Sequence, residues 1–382
     1  MKIERILHAA LFTISPEMAW GQPMLIWGRA GSGKTAMVKA AARKTGLHTE
    51  RLSPAERGEG QFGVIAVPSQ DRQYLDYPAP RFVEKFQNGG LLFLDEINTA
   101  PPALQPPLLG AVQLRTIGAS YLGDRTRVIG AANETRDGTG TWNLGPSLRN
   151  RFGHLSFEGL DLADWLPMFL NDFEASESGQ VDALAEEARV EAAWSGAMAG
   201  ARGLVAGFLG AAGPSALDNP PPQGSPVKSW PTRRTVQYAT HALAASQIHG
   251  LTEDETNEYV GSFVGNAWVN QFVAWRLNAD LPDAVDVLEG RVAWQHSQAR
   301  VDRTVAVLSA CAALVIPTDA PNRIPRATVL WRVIGDVLSQ APDCVMSSAR
   351  ALARAGLDQQ TVPSAAAVMG RLEPIMRQAG VI

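Results

Sequence analysis

The stretch GRAGSGKT, Gly28 to Thr35, follows the apolar run PMLIWG (23–28) and opens a helical run from about 34 to 45. It fits G-x-x-x-x-G-K-[ST] in the strand-then-helix context that gives this pattern its meaning. The glycines let the chain turn tightly, so N–H groups along Gly28, Gly31, Ser32 and Gly33 converge on phosphate oxygens at a helix N-terminus. Lys34 would reach the β- and γ-phosphates, and Thr35 would ligate Mg²⁺. The chain holds six lysines, which makes a chance match roughly a one-in-a-hundred event. A nucleotide site is the expectation.

Two further segments belong with it. LLFLDE, Leu91 to Glu96, reads as a buried strand that delivers two carboxylates to the C-terminal edge of a sheet, where ligands of open α/β sheets bind. Asp95 would hold Mg²⁺ and Glu96 would orient or deprotonate a water. VIGAAN ends at Asn133, again at a strand end. An Asn there is by itself more often a turn former. Beside the other two motifs, contact with the γ-phosphate and the lytic water becomes the leading reading.

The remainder of the first 160 residues alternates strand-like and helical runs. An amphipathic helix is expected over 1–15, strands at HTERLS (48–53), GLLFLDE (90–96), RVIGAAN (127–133) and GHLSF (153–157), and a helix near 101–114. That alternation argues for an α/β domain, a parallel sheet with crossover helices. FGVIAVPSQDRQYLDY (62–77) is a hairpin or loop inserted in a crossover. Beyond Asp161 strand signals fade. Helices are expected at 161–172 and 184–210, a Pro-rich linker at 213–226, and helices from Trp230 onward, broken at Gly250, Asp280–Pro282 and Asp319–Pro325.

GPSLRNRFGHL (145–155) holds Arg149 and Arg151 with no acid beside them. A chain leaving the sheet's C-terminal edge at Asn133 must return to the opposite edge before Gly153 starts another parallel strand. A helix of some seven to ten residues, about 10–15 Å, would put both arginines far from their own nucleotide and in reach of a neighbour's. An arginine supplied in trans is worth about 10³–10⁵ in rate. Spacing alone leaves that reading level with plain basic charge at a helix C-terminus. SWPTRRT (229–235) offers Arg233 or Arg234 from a lid, against the bland reading of a helix start.

Composition narrows the field. The 382 residues suit about two or three domains, and a net charge of −4 supplies no basic field for nucleic acid or an anionic membrane. Cys311 and Cys344 match no metal-ligand spacing and read as buried thiols in a reducing compartment. No apolar run is long enough for a membrane span, and the N-terminus lacks a signal-peptide pattern. A cytoplasmic protein is expected.

In order, GRAGSGKT, LLFLDEINTAPPALQPPLLGAV, VIGAANE, LRNRFGHL and WPTRRT resemble the AAA+ superfamily, and its MoxR-like branch in particular, over about residues 1–250. The resemblance implies an AAA+ P-loop α/β core (1–160), an all-α lid (161–250) and an α-helical C-terminal extension (251–382). It makes Lys34 and Thr35 the Walker A pair, Asp95 and Glu96 the Walker B pair, and Asn133 sensor 1. Arg151, followed by Phe152, becomes the trans-acting arginine with Arg149 second, and Arg234, with Arg233 adjacent, the sensor 2 arginine. Segments 60–80 and 115–126 fall where the branch carries its helix-2 insert and pre-sensor hairpins. Arg29-Ala30 and Asn150 depart from the usual Pro-Pro and acidic residue.

The resemblance further implies a ring, commonly hexameric, that binds ATP and Mg²⁺ and hydrolyses ATP between subunits. Such rings remodel protein complexes, often with a von Willebrand factor A partner. The alternative is a nucleic-acid motor or loader, which requires basic or aromatic residues on the two hairpins. Here 62–77 offers one Arg against two Asp, and 116–127 two Arg. A nucleotide-gated scaffold with little hydrolysis is a third reading, opposed by Glu96 and Asn133.

Overall fold

The apolar runs become neighbouring strands because each is buried on both faces, the condition under which parallel sheets carry unbroken apolar sequence. A computed structural model describes residues 2–54, 62, 65–134, 141–170, 181–217, 220–222, 225, 227–278, 281–316, 318 and 320–378. Its strands are β1 (Met24–Gly28), β2 (Thr49–Leu52), β3 (Val67–Pro68), β4 (Leu75–Asp76), β5 (Gly90–Leu94), β6 (Thr116–Ile117), β7 (Ser120–Tyr121), β8 (Thr126–Asn133) and β9 (Gly153–Ser156). Five of them form one sheet in the order β2-β5-β8-β1-β9, every pair parallel. β3–β4 and β6–β7 are separate antiparallel hairpins.

Helices of this region are α1 (Lys2–Leu11), α2 (Lys34–Thr45), α3 (Gln105–Leu109), α4 (Pro146–Arg149), α5 (Leu162–Leu170), α6 (Ala183–Ala212), α7 (Arg233–Ile248) and α8 (Glu253–Val264). The α/β fold with crossover helices and a helical remainder is therefore as expected. Three local expectations fail for identifiable reasons. α1 stops at Leu11, not near residue 15, because Ile14 instead bridges Trp20 and Pro16 disfavours helix before it. The helix near 101–114 is divided into a 3₁₀ turn, α3 and a π turn, since Pro101, Pro102, Pro106 and Pro107 remove N–H donors. The helix before β9 is shorter than foreseen among the described residues: α4 has four residues, and 141–145 carry no regular structure, tied down by Trp142 N–H to the Asn98 carbonyl and by Gln105 to Asn143 and Gly145.

Contact density divides the chain into Met1–Val190 with Pro220–Asn266, and Glu191–Asn219 with Ala267–Ile382. These units do not coincide with the three segments anticipated. α8 goes with the first unit, where Tyr238 of α7 stacks on Phe263 of α8 at 5.2 Å between ring centroids. Part of the linker, 218–219, 223–224 and 226, lies outside the described residues.

The second unit is all helix: most of α6, then α9 (Asn266–Asn278), α10 (Ala284–Leu288), α11 (Val301–Val315), α12 (Arg323–Leu338), α13 (Pro342–Arg354) and α14 (Ala365–Gln378). Its core gathers Leu308, Trp331, Ile334, Val345 and Leu352, and Trp331 Nε1 donates to the Leu357 carbonyl at 2.7 Å. Cys311 and Cys344 are both buried free thiols there; burial pushes the Cys311 thiol up to about 12. Pro325 sits in the first turn of α12, where a missing N–H costs nothing. No helix among the described residues is long and apolar enough to cross a membrane.

Candidate active site

The C-terminal ends of β1, β5 and β8 lie side by side, since Gly28 is in register with Asn133 and Leu94 with Gly130. The loop that leaves β1 turns through Gly31 (φ 75°) and Gly33 (φ 93°) before α2 begins. Those left-handed angles strain any residue with a Cβ. Gly28 is fixed by space instead: a Cβ there would stand 2.2 Å from the Phe157 carbonyl oxygen. The loop's N–H groups and the start of α2 together make an anion-binding end.

Lys34 Nζ donates to the carbonyls of Gly28 (2.9 Å) and Arg29 (2.7 Å) and to Asn133 Oδ1 (2.9 Å). Thr35 Oγ1 donates to Asp95 Oδ2 at 2.9 Å. Residues 99 and 60 positions apart are thus brought into contact. Cis ligands of an octahedral Mg²⁺ stand about 2.9 Å apart, so Thr35 and Asp95 fit the ion foreseen there. Glu96 adjoins them in a left-handed conformation, φ 53° and ψ 39°. Its N–H faces Asp95 Oδ1 (3.1 Å), and its carbonyl takes the N–H and hydroxyl of Thr99, both at 2.8 Å. A non-glycine residue held this way costs about 1–2 kcal/mol, and the surrounding bonds fix it. The Glu96 side chain stays partly exposed.

Two residues of this site went unassigned in the sequence. Asn98, buried, donates from Nδ2 to the Asn133 carbonyl (2.9 Å) and accepts the Asn133 N–H on Oδ1 (3.1 Å). It closes a two-bond clamp on the backbone that carries Asn133; its only sequence signal is the Asn two positions after Glu96. Arg51, at the end of β2, donates from Nε to Asp95 Oδ2 at 2.7 Å and anchors that carboxylate; nothing in HTERLS announces it. Asn98→Ala strands a buried donor and acceptor, so the chain is expected to lose about 1–3 kcal/mol of stability. Urea unfolding checks it, and an unchanged midpoint would remove the clamp's energetic role.

The arginines lie elsewhere. Gly153 is in register with Met24 at the start of β1, and the phosphate loop begins four residues on, about 13 Å away. Arg151 donates from Nε to Gln113 Oε1 and from Nη1 to the Ser147 carbonyl, both at 2.6 Å. Arg149 donates to the Val227 carbonyl (3.1 Å) and covers the Trp230 ring at 5.4 Å. Neither bonds to the loop, Asp95, Glu96 or Asn133. Arg234, in the first turn of α7, reaches Asn150 Oδ1 at 3.5 Å, and its charge joins burial in pushing the Arg151 guanidinium down. The structure therefore groups Arg234 with Arg151, not with the phosphate loop. Arg233 is exposed.

A buried relay runs behind the loop. Trp27 Nε1 donates to His154 Nδ1 at 2.9 Å, so His154 carries its proton on Nε2 and donates it to the Arg149 carbonyl at 2.9 Å. Burial depresses this imidazole to about 4, which keeps it neutral.

Residues 23–152 match the family model of the AAA domain, dynein-related subfamily. The chain is 29% identical over 155 residues to uncharacterized protein YojN of Bacillus subtilis (strain 168), 38% of this chain and 50% of that protein. It is 28% identical over 149 residues to uncharacterized protein SH1500 of Staphylococcus haemolyticus (strain JCSC1435), 36% of this chain and 56% of that one. The chain thus spans about half the length of the curated relatives it matches. Among solved structures, a Cytophaga hutchinsonii protein described as a candidate ATPase superposes with a TM-score of 0.43 at 16% identity, over 72% of this chain and 79% of that one. Over residues 23–152, which hold the Gly28–Thr35 loop, the chain is similar to an AAA domain.

Proposed function

We propose that this protein hydrolyses ATP as a MoxR-like member of the AAA+ ATPases, in a ring of like subunits that remodels protein complexes. One observation carries the catalytic part: Lys34 to Asn133 and Thr35 to Asp95 join the loop to two strand ends, with Glu96 alongside. Lys34 binds the β- and γ-phosphates, and Thr35 and Asp95 would hold a Mg²⁺ ion, which when bound would supply charge neutralisation at the phosphates. Asn133 positions a water for in-line attack. As the oxygen–phosphorus bond forms, Glu96 takes the water's proton and the bond from the γ-phosphorus to the β–γ bridging oxygen breaks, leaving ADP and phosphate.

The placement of Arg151 and Arg149 supports the ring, since both lie a strand length from their own loop and would be in reach of a neighbour's nucleotide. A protein client is favoured over nucleic acid by the hairpins. Arg127 is buried and ion-paired with Glu187, which also takes the half-exposed Arg125 at 3.0 Å, so Arg127 is not available to a phosphate backbone and Arg125 already has an acidic partner. The β3–β4 hairpin presents Val67, Tyr74, Leu75 and Tyr77 to solvent, and the Tyr77 carbonyl takes the Ala119 N–H of the second hairpin at 3.3 Å. Val67 and Leu75 suit a polypeptide, whereas Tyr74 and Tyr77 fit either reading; a von Willebrand factor A type protein is the partner expected from the resemblance. Phosphate release with Mg²⁺-ATP, with and without DNA, tests the reading. Turnover indifferent to DNA supports it; turnover that requires DNA makes the chain a nucleic-acid motor, and none at all a scaffold.

A further inference from the structure

A second site lies in the first unit, apart from the nucleotide machinery, where α1, the start of α6 and the C-terminal end of α7 meet. His8 Nε2 stands 3.1 Å from Glu186 Oε1, and His249 Nδ1 stands 3.4 Å from the same oxygen. The two imidazoles meet edge to face, 5.4 Å between centroids, and their ligand atoms and the carboxylate oxygen all fall within 4.8 Å of one another. From these residues we propose that His8, Glu186 and His249 form a binding site for a divalent transition-metal ion of the Zn²⁺ class, with water as fourth ligand.

Ligands of a tetrahedral Zn²⁺ at about 2.0–2.1 Å are separated by about 3.3 Å. The two nitrogen–oxygen distances, 3.1 and 3.4 Å, bracket that edge. Two imidazoles and a carboxylate are the donor set of Zn²⁺, not of Mg²⁺ or Ca²⁺. The tautomer agrees. His249 Nδ1 faces the Arg189 Nη2 donor at 3.2 Å, so Nδ1 carries its lone pair toward the site. A cavity of ≈ 230 Å³ lined by Glu4, His8, Lys44 and His249 opens onto the cluster and gives an ion and its water a way in.

Arg189 identifies the site most clearly, because it already uses the acceptors an ion would use. Its Nη2 donates to Glu186 Oε1 at 2.7 Å and lies against His249 Nδ1, while Nε takes Glu186 Oε2 at 2.8 Å. The guanidinium and a metal ion compete for the same lone pairs. Arg189 is half exposed, and to admit an ion it would have to give up these bonds and that of Nη1 to the Ile248 carbonyl (3.1 Å), whereas its charged neighbours have partners of their own, Arg5 on Glu255 and Lys44 near Glu4. The ion would then tie α1, α6 and α7, of which Arg189 now ties α6 to the end of α7.

Competition yields a test that a merely structural salt bridge would fail. Untagged protein is titrated with Zn²⁺ alone by calorimetry, and with Co²⁺ alone while the visible spectrum is recorded. One equivalent of Zn²⁺ and the intense absorption of four-coordinate Co²⁺ are expected. Removing an imidazole should weaken binding by at least the ~10–100-fold seen for lost outer-shell partners, in His249→Ala and in His8→Gln, the latter altering a partly exposed position that the fold tolerates. Arg189→Ala should tighten binding about tenfold or more. At ~100 times its dissociation constant Zn²⁺ should raise the melting temperature by ~5–10 °C. The site is refuted by stoichiometric binding that survives His8→Gln, by Arg189→Ala binding no more tightly than the parent, or by no uptake in either protein.

Discussion

Glu96→Gln is expected to bind ATP as the parent does and to hydrolyse it about 10²–10⁴ times more slowly. The substitution keeps size and hydrogen-bonding shape but removes the lone-pair charge that accepts a proton. The bonds that set the turn run through backbone atoms of Glu96, its N–H toward Asp95 Oδ1 and its carbonyl to Thr99, and an amide leaves them in place. Asp95 keeps Thr35 and Arg51, so the groups expected to hold Mg²⁺ are untouched. The loss should therefore appear in kcat with KM little changed, the mark of an interaction made only in the transition state. Lys34→Ala makes the contrast, since the phosphates lose a direct partner and affinity falls too. Phosphate release at saturating ATP and anisotropy of a fluorescent ATP analogue separate the two. Turnover in Glu96→Gln within about threefold of the parent would remove Glu96 from proton transfer.

What could be read in advance follows from which forces are local. Strands β1, β5 and β8 were legible because two-faced burial demands runs such as MLIWG and GLLFL, and no other arrangement hides them so fully. Lys34, Thr35, Asp95, Glu96 and Asn133 were legible as types at strand ends, and register then brought them together. Asn98 and Arg51 were hidden because their meaning is a partner far along the chain: a clamp on Asn133 and an anchor on Asp95. Proline divided the 101–114 helix in a way the apolar periodicity masks. His8, Glu186 and His249 had no sequence signal at all, being spread over three helices whose packing alone makes them neighbours. Arg234 was read with the phosphates on family pattern, while Asn150 draws it toward Arg151.

Mixing Arg151→Ala subunits with Lys34→Ala subunits, each alone about 10³–10⁵ below the parent if Arg151 acts in trans, should restore measurable turnover. The reason is positional. Arg151 lies at the level where β9 begins, and Phe152, buried behind it, fixes that level. Gln113 and the Ser147 carbonyl hold the guanidinium with Nη2 left over, a posture suited to an anion arriving from outside. Arg234 stands beside it, and between them sits Asn150, a neutral amide. Among the described residues neither arginine forms an ion pair, so a neighbour's triphosphate would relieve the repulsion between two like charges. In a random equal mixture, about a quarter of interfaces join an intact Lys34 to an intact Arg151, which sets the ceiling of recovery. Chains that serve their own nucleotide would show no recovery at any ratio. An Arg151→Ala protein that is fully active by itself would transfer the role to Arg149 or Arg234, and the same mixing experiment with either substitution would then show which one crosses the interface.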